Sequence, residues 1–160
     1  MVALAALPAG CSEHDAGPHD GAHRDAQAPG AAAIEQLALD AGRKWRTDEP
    51  LRAGMGAVHA AFAAEHAAID AGSASDAQYD ALAGRIDSEV QGIVRNCKLP
   101  PAADANLHYI IADLMRGVHE MRGGDPARTR HDGAALVHGA LDAYGRFFDD
   151  PAFAAAAQLP

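Results

Sequence analysis

The stretch Asn96-Cys97-Lys98-Leu99-Pro100-Pro101-Ala102-Ala103-Asp104-Ala105-Asn106-Leu107-His108 decides the fold. Proline lacks the amide proton that a helix interior needs, and its ring collides with the preceding turn, yet it fits the first turn of a new helix. One helix therefore stops near Cys97 and another starts by about Ala102. So short a corner makes the two antiparallel neighbours. It also carries the only cysteine beyond the first eleven residues, with a histidine early in the next helix. A thiol and an imidazole at one helix-helix corner are the first chemical lead.

Upstream of the corner, Tyr79, Leu82, Ile86, Val90, Ile93 and Cys97 recur at three- and four-residue steps, the period of one buried helical stripe. Ser75 or Asp76 opens that helix. The helix before it has Thr47 or Asp48 as N-cap and Pro50 in its first turn, carries Leu51, Met55, Val58, Phe62 and Ile69, and stops at Gly72. Downstream, a third helix from about Ala102 to Arg122 turns Leu107, Ile111, Leu114, Val118 and Met121 inward and ends at Gly123-Gly124. A fourth runs from about Pro126 or Arg130 to Phe148, with Ala134, Val137, Leu141, Tyr144 and Phe148 inward, until Asp149-Asp150-Pro151 stops it. Ile34 to Thr47 fits a small hairpin about Asp40-Ala41-Gly42 or a short helix stopped at Gly42, with Trp45 packed on the body either way.

Helices of this length joined by short connections predict an all-α fold, an antiparallel up-down-up-down four-helix bundle with a short N-terminal hairpin or extra helical segment. The composition agrees. The 160 residues suit one domain, and 49% are hydrophobic, but with only four Phe, three Tyr and one Trp much of that share is alanine. Alanine forms helices well and buries little area, so the helices must approach closely. The formal charge of −9 argues against nucleic acid, which requires clustered Lys and Arg.

The first residues read as processing rather than structure. Val2 to Gly10 is a short apolar run ending Leu7-Pro8-Ala9-Gly10-Cys11, which resembles a bacterial lipoprotein signal with Cys11 as the lipidated residue. It departs from that pattern in lacking a basic segment before the apolar run and in having Pro8 where an aliphatic residue is usual. The expectation is a periplasmic protein that meets the membrane through a lipid anchor only. Residues 1–11 are then leader, 12–33 tether, 34–153 bundle and 154–160 tail. The tether is too polar to bury a core, and its His14, His19 and His23 beside Asp15, Asp20 and Asp25 suit either weak capture of Cu²⁺, Zn²⁺ or Ni²⁺ or a plain hydrophilic spacer.

The bundle topology says which side chains share an end. The start of the first helix, the end of the second, the start of the third and the end of the fourth lie together, which gathers Met55, His59, Cys97 and His108. At ~100° per residue, Met55 and Cys97 fall within their apolar stripes, whereas His59 lies about 80° from Leu51 and His108 about 100° from Leu107. Both histidines sit at the edge of the buried face. Thiolate, thioether and imidazole together suit copper or zinc, so the site expectation is a metal held by Cys97, His108, Met55 and His59. Buried packing is the competing role for Cys97.

Other readings are weaker. His66 follows His59 by seven residues, and His138 follows His131 by seven, so each pair is about 10 Å apart along its helix, too far for one ion. A solvated or interfacial role is expected for them. Covalent haem would require CxxCH, which is absent, and a b-type haem using Met55 would want a histidine where this chain has Tyr144, Phe147 and Phe148. Asp87, Glu89, Asp113 and Glu120 are expected on solvated faces, and no paired nucleophile and base or phosphate loop is present, so no catalysis is expected. The leading expectation is a non-catalytic binder of a soft metal, copper favoured; the alternative is an interaction or structural protein docking a periplasmic partner.

A family resemblance adds to this reading. The run Leu37-x-Leu39-Asp40-x-Gly42-x-Lys44-Trp45-x-Thr47-Asp48-x-Pro50-Leu51-Arg52-x-Gly54-Met55 and the later Ile93-Val94-x-Asn96-Cys97-Lys98-Leu99-Pro100-Pro101-x-Ala103-Asp104-x-x-Leu107-His108 resemble the small exported bacterial proteins labelled DnrO. The resemblance covers most of Leu37 to Phe153, with Asn96-Cys97-Lys98-Leu99 its most specific part. It implies export and a common fold, and no particular activity or ligand.

Overall fold

The computed structural model describes residues 33–157; the leader, Cys11 and the tether histidines His14, His19 and His23 lie outside them. Four long helices, α1 (Glu49–Asp70), α2 (Asp76–Asn96), α3 (Pro101–Met121) and α4 (Arg130–Phe147), form the four-helix bundle, and a short α5 (Pro151–Ala156) follows. Local chemistry sets each boundary. The Asp48 carboxylate accepts from Leu51 N–H at the start of α1, and Ser75 and Thr129 make reciprocal capping boxes with Gln78 and Asp132. Gly72 and Gly123 stop α1 and α3 with φ of +63° and +71°, a conformation that costs glycine least.

The expected stripes meet in one core, with Leu51, Met55, Leu82, Leu114, Val137 and Tyr144 fully buried at its centre. In α3 the structure shifts one residue from expectation: Ile110 is fully buried and Ile111 only partly. Where α3 crosses α4, Gly117 and Gly133 pack backbone against backbone, and a Cβ on Gly133 would fall 2.6 Å from Met121 N and 2.7 Å from Gly117 O. Only a missing side chain permits that approach. The seam between α1 and α4 has no such zipper and stays open along part of its length.

Two carboxylates expected in solvent are buried. Asp113 is 1% exposed because its oxygens accept from Ala33 N–H and Ile34 N–H, both at 3.0 Å, while Arg116 donates to it at 2.8 Å. It thereby clamps a 3-10 turn, Ala33–Gln36, onto α3. Glu120, 5% exposed, lies under Arg128 at 3.5 Å.

The segment before α1 combines both readings of it. After the 3-10 turn, Asp40 and Arg43 bridge across a tight turn at Ala41-Gly42, and Trp45 packs half-buried on the body with its indole N–H donating to Ala38 O. Trp45–Arg46 then forms β1, which pairs in parallel with β2 (Phe148–Asp149) rather than within a hairpin. Asp150 caps α5, which continues through Ala156 and so crosses residue 154, where a tail was expected to begin. Among the described residues, no helix is long and apolar enough to cross a membrane.

Candidate functional site

At the Cys97 corner, the end of α2 is tied to the start of α1. Cys97 is the C-cap of α2, half-buried against the core, and its thiol hydrogen-bonds the Asp48 carboxylate. Asp48 also accepts from Lys98 N–H at 2.6 Å and Leu51 N–H at 2.9 Å. Burial pushes the Cys97 thiol up to about 12, helped by the negative charges of Asp48 and Asp104 and by the bond to Asp48. For Asp48, burial opposes ionisation, but hydrogen bonds from Lys98, Leu51 and Cys97 outweigh it and hold the carboxyl below its usual value. The corner therefore favours a neutral thiol against a carboxylate.

The other expected ligands are distributed differently. Met55 is 0% exposed within the core. His108 does not turn inward: its side chain is 67% exposed, with Nδ1 at 2.8 Å from Asp104 O and 3.5 Å from the Asp104 carboxylate. His59 lies elsewhere, edge-on to Phe153 with ring centroids 5.1 Å apart. Among the described residues, no three His, Cys, Asp or Glu side chains are grouped to hold a metal ion. Beside the corner, the Tyr144 hydroxyl donates to the buried Asp150 at 2.9 Å, and burial raises the phenol well above its ordinary range.

The open seam between α1 and α4 holds a cleft of about 670 Å³. Its walls are Phe62 from α1, Leu141 from α4 and Phe153 from α5, and its basic groups are Lys44, His59, His66 and His138. Phe62 forms the floor, stacked on His138 at 5.5 Å between ring centroids and tilted against His66 at 5.8 Å. His66 and His138 meet edge to face, centroids 5.7 Å apart and planes at 69°. A neighbouring hollow along the same seam is lined by Ile69, Asp70 and His131 with Phe62, His66 and His138. One carboxylate, Asp142, lines the main cleft and lies 3.9 Å from His138 Nε2.

The sequence missed this cluster because its members pair between helices, not along one. A signal was present: His59 and His66, and His131 and His138, repeat one seven-residue spacing on two helices that pack side by side. No protein-family model, curated protein or solved structure matches the chain.

Proposed function

We propose that this chain is a non-catalytic binding protein whose cleft between α1 and α4 takes a small aromatic anion. The observation that carries the reading is the lining: aromatic and aliphatic walls from Phe62, Leu141 and Phe153, with four basic side chains against one carboxylate. Its volume, about 670 Å³, falls in the range of small-molecule sites, roughly 300–1,000 Å³. Aromatic walls stack a planar ligand, and N–H donors of the imidazole and ammonium groups at the rim orient its charge. Among the described residues, no hydroxyl or thiol side chain lines the cleft.

Copper held by Cys97, His108, Met55 and His59 is the weaker reading, because His108 points to solvent, Met55 is sealed in the core and His59 packs on Phe153. A lipid-anchored periplasmic location is proposed on Leu7-Pro8-Ala9-Gly10-Cys11, and DnrO-like membership on the Asn96-Cys97-Lys98-Leu99 run. Palmitate labelling that survives Cys11→Ser would refute the anchor.

The ligand reading is tested with anilinonaphthalene sulfonate, an aromatic anion that fluoresces when desolvated. About one dye is expected per folded chain. Ala63→Trp, which fills the cleft from an exposed lining position, should abolish the signal, and His138→Glu should weaken it about tenfold. Fluorescence unchanged in both would overturn the reading.

A further inference from the structure

From the His66–His138 pair we infer a binding site for a divalent transition-metal ion, Cu²⁺ most tightly and Zn²⁺ less so, at the end of the cleft away from Lys44. The site shares His66 and His138 with the cleft proposed for the aromatic anion but requires no organic occupant, so metal binding and dye binding fail independently.

The geometry fits two imidazoles on one ion. With metal–nitrogen bonds of about 2.0–2.1 Å, two rings sharing a tetrahedral zinc have centroids ~5 Å apart, and two cis rings on a tetragonal Cu²⁺ about 4.5 Å. His66 and His138 stand at 5.7 Å with planes at 69°, so a small side-chain rotation closes the difference. Both are exposed and sit on separate rigid helices, so neither ring leaves a buried contact to make it. Phe62 beneath both rings restricts where they move, which lowers the entropy lost on chelation. Asp142, whose carboxylate lies 3.9 Å from His138 Nε2, adds a negative charge beside the pair that favours a bound cation.

The donor set selects the ion. Imidazole suits copper, nickel and zinc, and affinity among divalent ions peaks at copper. With no third His, Cys, Asp or Glu grouped there among the described residues, water fills the remaining positions. The site is therefore open and exchangeable rather than closed and structural.

The test is Cu²⁺ titration of the full chain, untagged, by calorimetry. His14→Asn, His19→Asn and His23→Asn are introduced throughout, so that the tether does not compete. One equivalent is expected to bind. His66→Ala and His138→Ala should each weaken it at least tenfold with the helical circular dichroism unchanged, and Cys97→Ala and His108→Ala should leave it within twofold. Adding Zn²⁺ should shift the ring-proton resonances of His66 and His138 together. Absence of binding, or binding that survives both cleft variants whatever Cys97→Ala and His108→Ala do, would overturn the site.

Discussion

The Cys97 corner and the α1–α4 cleft each bring nitrogen or sulfur side chains to a helix junction, and they use them in opposite ways. At the corner the polar atoms are committed. Asp48 accepts from Leu51, Lys98 and Cys97 at once, and Asp150 accepts from Tyr144 while capping α5 through Phe153 N–H at 3.0 Å. In the cleft, three histidines line open space over an aromatic floor. A junction that satisfies its own polar groups stabilises the fold; one that leaves donors facing a cavity is free to bind.

The largest effect expected from this contrast is kinetic. With its thiol pushed up to about 12 from a reference of 9.0, Cys97 at pH 8 holds roughly a thousandfold less thiolate than a free cysteine. Iodoacetamide should therefore alkylate Cys97, in a Cys11→Ser background, about a thousandfold more slowly in the folded chain than in urea. A folded rate within tenfold of the unfolded one would mean the corner is open. The sign for stability follows: a folded pKa above the unfolded one stabilises fully below pH 9 and is lost as pH rises towards 12.

Next in size is Asp150→Ala, which strikes both regions. It leaves the buried Tyr144 hydroxyl without its acceptor and uncaps α5, for a combined loss of about 3 kcal/mol in urea unfolding. Because Phe153 of α5 walls the cleft, dye binding should fall with it. A loss below about 1 kcal/mol would mean that the Tyr144–Asp150 bond contributes little to the native state.

Asp48→Ala should cost somewhat less, about 2 kcal/mol, through the lost N-cap and the unpaired Lys98 amide. Asp48 is held below the usual carboxylate value, so its contribution is present above about pH 4 and fades as pH falls through the folded pKa. The gap between wild type and Asp48→Ala should narrow in acid. A gap constant from pH 7 to pH 2 would show that the carboxylate's charge is not what holds the corner.

The same contrast explains what could be read in advance. Helix periods, caps and the Pro100-Pro101 break act within a few residues, so the bundle and the meeting of the start of α1 with the end of α2 followed from the chain alone, whereas the bond between Asp48 and Lys98 did not. Asp113 did not, because the groups that justify its burial are the amides of Ala33 and Ile34, at sequence separations of 80 and 79. His108 sits at the edge of its stripe, where phase alone does not choose between core and solvent, and a bond to its own helix at Asp104 turns it outward. His66 and His138 needed the axial register between α1 and α4, which depends on packing across the whole bundle rather than on any local run.

The smallest stability effect should come from His66→Ala and His138→Ala, and its smallness separates binding from folding. Both side chains are exposed, and their ring contacts with Phe62 are made at the open rim, so each truncation should change stability by no more than about 0.5 kcal/mol. Phe62 itself is 5% exposed and anchored in the core. If either variant instead lost 2 kcal/mol or more in urea unfolding, the imidazoles would be sealing the seam between α1 and α4. The cleft would then be a structural joint like the corner, with its histidines committed to the fold.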